Sequence, residues 1–182
     1  MDHDVLSSPD GFAPLWSAGE PFQEFLDRVV SQRTLWEGVY RTATVPEWAG
    51  RAFGALPDGL RILVLNAGWC LDSANTVPVM ARLAEAVPGV ELRLLERDEF
   101  PGLMDRYLTN GSRSIPLAIL LDRSLRELGR WGPRPAELQT WVLAHREETP
   151  PAERYKEQRR WYAKDRGETT LREILQAVSG ER

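Results

Sequence analysis

The stretch RILVLNAGWCLDSANTVPVMARLAEAVPG, residues 61–89, determines the fold of this chain. It begins with a short apolar run without alternating polarity, which is typical of a strand buried on both faces. Apolar residues then recur at helical spacing from Val77 to Val87, and Pro88 and Gly89 end the pattern. The stretch therefore predicts a strand followed directly by a helix, with Cys70 at the junction.

The segments that follow predict the rest of an α/β core. They are, in order, a strand, a short helix, two strands joined by a tight turn, and a helix, at residues 90–97, 100–108, 117–122, 123–131 and 136–147. The strands on either side of the long helix need a crossover and should be parallel, whereas the last two should be antiparallel. We expect a mixed sheet of about four strands with helices on both faces.

Helices are also predicted at both ends of the chain. Pro21 to Ala43 has the pattern of one long amphipathic helix, and a shorter one follows around Pro46 to Ala55. After Pro150 and Pro151 the sequence predicts two helices broken near Gly167, whose mixed charges favour a solvated face over a binding patch. We expect one compact domain, divided into an N-terminal extension, a core and a C-terminal extension at residues 1–56, 57–148 and 149–182.

Charge and hydropathy limit the partners and the compartment. The formal net charge of the 182 residues is -4, which argues against a surface that neutralises nucleic-acid phosphates. No apolar stretch approaches the length of a membrane span, and the start, MDHDVLSSPDGF, has acidic residues where a signal peptide has basic ones. We therefore expect a cytoplasmic protein that binds neither nucleic acid nor membranes. The oligomeric state stays open.

The cysteine and histidine content limits the chemistry. Cys70 is the one cysteine in the chain, so disulfide chemistry has to be intermolecular. With His3 and His145 as the two histidines, no cluster resembles a zinc site, and we expect neither a metal nor a cofactor.

Three landmarks in this order of elements resemble the thioredoxin family. Trp69 and Cys70 stand where the family has W-C-x-x-C, Pro78 follows eight residues after the cysteine, and Ile115-Pro116 precedes the third core strand, where the family has a cis-proline. The resemblance covers about residues 60 to 147 and implies a three-layer thioredoxin-like fold. The segments G-W-C-x-D-x, R-S-I-P and W-Y-A-K-D look most like a bacterial branch with helical additions at both ends.

Two departures from the family pattern bear on the activity. Ser73 replaces the second cysteine, and Val64 stands where thioredoxins have a buried aspartate that helps to move protons. The resemblance therefore implies a protein with a C-x-x-S motif and not a conventional dithiol reductase.

Cys70 is the expected catalytic residue. A cysteine at a helix N-terminus faces unpaired N–H groups and the positive end of the helix dipole, which lower the pKa of the thiol from its reference value of about 8.5. Ser73, one turn later in what should be a partly exposed position, could donate a hydrogen bond to the thiolate. Asp72 acts in the opposite direction because its negative charge disfavours the thiolate, so the sign of the net shift stays open. An inert, buried cysteine is the alternative.

The other expected site residues would bind a substrate. A cis bond at Pro116 would leave the N–H and C=O groups of Ile115 free to pair with an extended substrate. Arg113 could place a cation near the sulfur or bind a carboxylate, although a solvated loop arginine fits equally well. Trp69 should cover the sulfur and offer a flat surface to a partner, with simple packing as its alternative.

These residues support monothiol thiol–disulfide exchange as the first hypothesis. Cys70 would attack a mixed disulfide of a protein and a small thiol, and a second external thiol would release it. The first alternative is a non-catalytic thioredoxin-like module that binds a partner, because a fold does not by itself imply activity. The second is a redox sensor in which Cys70 forms a sulfenic acid.

Overall fold

The computed structural model describes residues 11–180, so His3 and the acidic start of the sequence lie outside the described residues. The four strands are β1 (Leu60–Asn66), β2 (Val90–Glu96), β3 (Leu117–Leu121) and β4 (Glu127–Trp131). The helices before β2 are α1 (Ala13–Ala18), α2 (Phe22–Arg28), α3 (Arg33–Thr42), α4 (Glu47–Gly54) and α5 (Leu71–Ala86). Those after it are α6 (Pro101–Arg106), α7 (Ala136–Ala144), α8 (Pro151–Asp165) and α9 (Glu168–Ser179), with a 3₁₀ turn at Arg97–Glu99.

The strands form one mixed sheet in the order β2-β1-β3-β4. β1 pairs with β2 in parallel across the α5 crossover, and β3 pairs with β4 in the antiparallel sense. Both orientations, the four-stranded sheet and the α/β class confirm the expectation from sequence. The structure adds that β1 and β3 are antiparallel, which places β1 in the interior of the sheet.

Alternate residues of β1 supply two separate cores. Ile62 and Val64 pack on the face covered by α2, α3, α4, α5 and α9, whereas Leu63 and Leu65 pack on the face covered by α1 and α6. All four side chains are fully buried. The apolar run without alternation is therefore the consequence of a strand with helices on both sides. Val64, which replaces the family's aspartate, is one of these apolar core residues.

The expectation of one long helix from Pro21 to Ala43 is wrong, because the chain leaves the helix between α2 and α3. Gln32 adopts a left-handed conformation with φ 57°, and its side-chain amide donates to the Trp69 carbonyl. Val29 packs beside Gly68, so the break is held by contacts with the loop that precedes Cys70. The apolar spacing continues through the break, which is why the helical pattern did not reveal it.

The two helices after Pro150 and the break at Gly167 are confirmed. Gly167 has φ +82°, and a Cβ there would come within 2.6 Å of Val79 on α5. The expectation of a merely solvated face is wrong for one side of α8, where Gln158 and Tyr162 are buried. Within residues 11–180, none of the helices combines the length and apolar character that crossing a lipid bilayer requires.

Gly132, directly after β4, packs closely against the backbone of Pro116. Its φ of +126° is rare for residues with a side chain, and a Cβ would overlap the Pro116 carbonyl oxygen. Gly132→Ala should lower the free energy of unfolding by about 1–3 kcal/mol or more in urea denaturation. Gly50→Ala, inside α4 where a Cβ would meet nothing within 4 Å, is the control and should raise it by about 0.5–1 kcal/mol. Equal effects of the two substitutions would contradict the conclusion that position 132 requires a glycine.

Candidate functional site

Cys70 lies at the N-cap of α5, where β1 has just ended. Its backbone N–H donates to the Ala67 carbonyl at 3.0 Å, which closes a tight turn. Its Sγ accepts a hydrogen bond from the Ser73 N–H at 3.4 Å and donates one to the Ile115 carbonyl at 3.4 Å. The residue is only 7% exposed. The sulfur is therefore held between the first turn of α5 and the loop that precedes β3.

The N-terminal helices hold the loop in front of the sulfur. The Trp36 indole N–H donates to the Gly68 carbonyl at 2.9 Å, and Gln32 donates to the carbonyl of Trp69. The Trp69 side chain is 51% exposed, and Cζ of Arg97 lies 4.9 Å from its ring centroid. Trp69 thus offers an open aromatic face at the site. Sequence reasoning did not connect Gln32 or Trp36 to this loop.

The loop before β3 approaches the sulfur directly. The Ile115–Pro116 peptide bond is cis. The expectation that both backbone groups of Ile115 are free is wrong for the carbonyl, which accepts the thiol hydrogen bond. The Ile115 N–H donates no hydrogen bond to any of residues 11–180. A partner would therefore have to replace the thiol proton at the Ile115 carbonyl.

Arg113 is directed to a carboxylate in its own neighbourhood. Its guanidinium makes two hydrogen bonds of 2.7 Å to Asp105, one to each carboxylate oxygen. Both side chains are about half exposed. The expected cation beside the sulfur is therefore engaged elsewhere, although Arg113 does line the same cavity as Cys70.

Ser73 is fully buried, so the expectation of a partly exposed position is wrong. It lies on the first turn of α5, on the side of the helix that faces the protein interior. Its hydroxyl oxygen has no hydrogen-bond partner in the described part of the chain. The hydroxyl is nevertheless close enough to the sulfur to lower the pKa of Cys70 by favouring the thiolate. Ser73 is thus free to donate a hydrogen bond once the thiol loses its proton.

Asp72 is the centre of a buried hydrogen-bond network. It is 5% exposed and forms an ion pair with Arg134, whose Nε lies 3.0 Å from Oδ2. The Tyr162 hydroxyl on α8 donates to Oδ1 at 2.8 Å, and Arg134 also donates to Gln139 at 2.7 Å. Burial, then the nearby Asp72 carboxylate, raises the pKa of Tyr162 well above its usual value, so the phenol remains a donor.

Sequence reasoning missed Arg134 and Tyr162. Tyr162 belongs to the W-Y-A-K-D segment noted for its resemblance, but nothing local in that segment indicates a carboxylate partner. The sequence predicts an effect of Asp72 on the sulfur but names no partner for the carboxylate. Its burial, which makes a partner obligatory, becomes visible only in the folded chain.

The environment raises the pKa of Cys70. Burial is the largest cause, and the negative charge of Asp72 acts in the same direction. The nearby Ser73 hydroxyl and the backbone N–H groups at the start of α5 lower the pKa, but their effect is outweighed. The sign left open by the sequence is therefore positive, and Cys70 is a neutral thiol at pH 7 in the free protein.

A cavity of about 670 Å³ opens beside the sulfur. It brings together five of the predicted site residues, whereas Ser73 and Pro116 do not line it; the five are Trp69, Cys70, Asp72, Arg113 and Ile115. The opposite wall comes from α7, α8 and the segment between them, including Leu143, Tyr155 and Gln158. The C-terminal extension is therefore part of the site.

Removal of the Tyr162 hydroxyl tests the network. Tyr162→Phe leaves a buried carboxylate oxygen without its donor, and hydrogen bonds to charged groups contribute about 1.5–3 kcal/mol. We expect the free energy of unfolding in urea to fall by that amount with an unchanged m-value. Tyr155→Phe, on the same helix but half exposed, is the control and should stay within about 0.5 kcal/mol of wild type. A similar small loss for Tyr162→Phe would show that Asp72 does not depend on α8.

The rate of Cys70 alkylation by iodoacetamide as a function of pH tests the raised pKa. Because the chain has one cysteine, the reaction reports a single thiol. The pH at which the alkylation rate reaches half of its maximum, the midpoint, should be higher for the folded protein than for the same chain in urea. The free energy of unfolding should then fall as pH rises above the ordinary thiol pKa, because the folded state holds its proton more tightly. A midpoint below that of the unfolded chain would contradict the assignment.

Asp72→Asn should lower the alkylation midpoint, because it removes a charge that disfavours the thiolate. Asp58→Asn, before the opposite end of β1, removes the same charge and should leave the midpoint unchanged.

Comparison with known proteins places this geometry in a family. A structure of a protein of unknown function from Pseudomonas aeruginosa superimposes with a TM-score of 0.74 at 20% identity, covering 94% of this chain and 98% of the other. An HIV epitope-scaffold superimposes with a TM-score of 0.73 at 18% identity, covering 94% and 99%. No curated protein matches the chain significantly. The sequence profile of the thioredoxin family matches residues 19–169, so the chain belongs to the thioredoxin family.

Proposed function

We propose that Cys70 carries out monothiol thiol–disulfide exchange with a mixed disulfide of a protein or a small thiol. The observation that carries this proposal is the position of the sulfur. It sits at the N-terminus of α5 on the wall of a cavity, hydrogen-bonded to the Ile115 carbonyl, in a chain with no second cysteine. A small-molecule partner could reach the sulfur from this cavity.

The exchange conserves the number of disulfides. The Cys70 thiolate attacks one sulfur of the partner, a bond forms between the two sulfurs, and the partner's S–S bond breaks. The leaving thiolate takes a proton from solvent. Since residue 73 is a serine, no internal thiol can displace the adduct, and a second external thiol must do so. Cys70 then returns to its starting state.

The surroundings of the sulfur assist the exchange reaction in two ways. Loss of the thiol proton removes the hydrogen bond to the Ile115 carbonyl, which then becomes available with the Ile115 N–H to an extended partner. The same loss gives the Ser73 hydroxyl an acceptor. The raised pKa keeps the thiolate fraction low at neutral pH, but a thiolate of higher pKa is intrinsically more nucleophilic.

A non-catalytic binding module is the second candidate. The observation in its favour is that Cys70 is buried and its pKa is raised, as expected of a structural cysteine. In that case the arrangement of Trp69 and the cavity would serve to bind a partner without covalent chemistry. The two candidates differ in whether Cys70 forms an adduct in the folded protein.

The test compares adduct formation and release in wild type and Ser73→Cys. Reduced wild-type protein, incubated with a small-molecule disulfide, should gain one adduct by mass spectrometry and keep it until an external thiol is added. Ser73→Cys should lose the adduct spontaneously and form an internal disulfide, because the two thiols lie one helical turn apart. The buried site should accept the thiol, which behaves as a small apolar group.

Ser73→Ala is the matched control. It removes the hydroxyl without adding a thiol, so it should retain the adduct as wild type does. Absence of any adduct in folded wild-type protein, under conditions in which the urea-unfolded chain reacts, would overturn the exchange proposal and favour the binding module.

A further inference from the structure

The cavity beside Cys70 is lined by an excess of positive charge. Six arginines and one carboxylate, that of Asp72, line it among residues 11–180, although the whole chain has a net charge of -4. The arginines are Arg97, Arg113, Arg134, Arg146, Arg154 and Arg159. The positive charge is thus concentrated locally, against the overall sign of the protein.

Part of this charge is neutralised by neighbouring carboxylates. Arg134 pairs with Asp72, Arg113 with Asp105, and Arg97 with Asp98. These three pairs give rigidity to the wall of the cavity but add little to its field.

The remaining three arginines have no carboxylate partner in the described part of the chain. Arg154 donates to the backbone carbonyls of Arg146 and Thr149, so it is oriented but still carries its full charge. The side chains of Arg146 and Arg159 are exposed and make no ion pair with residues 11–180. Three uncompensated guanidinium groups therefore face the approach to the sulfur from α8 and from the segment before it.

A second observation indicates a polar ligand. Gln158, on α8 between Arg154 and Arg159, is 4% exposed and lines the cavity. Its amide makes no hydrogen bond to another described residue. Because the amide is not used inside the protein, it offers a donor and an acceptor to a ligand in the cavity.

We propose that this cavity binds a low-molecular-weight thiol or disulfide that carries at least two anionic groups, as carboxylates or phosphates. The inference rests on the proposed exchange at Cys70 and names its small-thiol partner by class. Guanidinium groups bind carboxylate and phosphate oxygens through paired hydrogen bonds. The volume of about 670 Å³ suits a small molecule, and Leu143 and Tyr155 provide apolar surface beside the charged groups.

The covalent step is the one described above. The Cys70 thiolate attacks one sulfur of the anionic disulfide, the Cys70–S–S–R bond forms, and the other half leaves as its thiolate and takes a proton. The arginines accelerate this step by raising the local concentration of the anionic partner and by orienting it.

The experiment measures the rate of adduct formation at Cys70 with four symmetric disulfides. Oxidised glutathione carries carboxylates, coenzyme A disulfide carries phosphates, hydroxyethyl disulfide is neutral, and cystamine is cationic. Each rate is divided by the rate at which the same disulfide reacts with a blocked, neutral cysteine amide, which corrects for the intrinsic reactivity of the probe. We expect an anionic probe to exceed the neutral one by about tenfold or more, with cystamine slowest, and the preference should shrink as salt is added.

The two anionic probes distinguish the source of the charge. A preference for oxidised glutathione alone supports the proposal with carboxylates as the recognised groups, and a preference for coenzyme A disulfide alone supports it with phosphates. Equal normalised rates for all four probes would overturn the proposal while leaving exchange at Cys70 intact. Failure of every probe to react would overturn the exchange itself.

Variants of the unpaired arginines locate the effect. Arg146→Gln combined with Arg159→Gln should reduce the ratio of anionic to neutral rates by about tenfold. Arg160→Gln is the matched control, because Arg160 lies on the same helix, pairs with Glu157 and does not line this cavity. An unchanged ratio in the double variant, or an equal loss in the control, would show that the cavity arginines do not select the ligand.

Discussion

The pairing of the buried Asp72 carboxylate with Arg134 and Tyr162 is the interaction on which the rest of the site depends. A charge held out of water costs several kcal/mol unless it is paired, and removing one partner of a buried pair costs about 3–5 kcal/mol. Asp72 lies in the first turn of α5, and its two oxygens are satisfied by Arg134 and Tyr162. These partners come from the segment before α7 and from α8. The pairing therefore holds the C-terminal extension against the helix that carries Cys70.

The same carboxylate influences the reactivity of the sulfur. Burial and the charge of Asp72 favour the thiol, whereas Ser73 and the backbone N–H groups of α5 favour the thiolate. The balance leaves the pKa raised, so the start of a helix is not sufficient by itself to activate a cysteine. Because Arg134 neutralises Asp72, the unpaired positive charge of the cavity comes from Arg146, Arg154 and Arg159. In the proposed exchange, the groups that set the pKa of the sulfur are therefore different from those that would attract the ligand.

Both extensions of the chain meet at the loop around Cys70. From the N-terminal side, Gln32 and Trp36 hold the carbonyls of Trp69 and Gly68, and they do so because the chain breaks its helix between α2 and α3. From the C-terminal side, α8 supplies Tyr162 and one wall of the cavity. The division into extension, core and extension describes the sequence, but the candidate site is built by all three parts.

The order of strands and helices in the core, the mixed sheet and the position of Cys70 at the start of α5 could be predicted from the sequence alone. These follow from short-range signals, since apolar periodicity, Pro, Gly and turn length act over a few residues. The break at Gln32, the hydrogen bond that occupies the Ile115 carbonyl and the burial of Ser73 were decided only by the tertiary structure. So was the pairing of Asp72 with partners 62 and 90 positions away. The physical reason is that each of these depends on which helix packs over the α5 N-terminus, and the local pattern of residues carries no record of that packing.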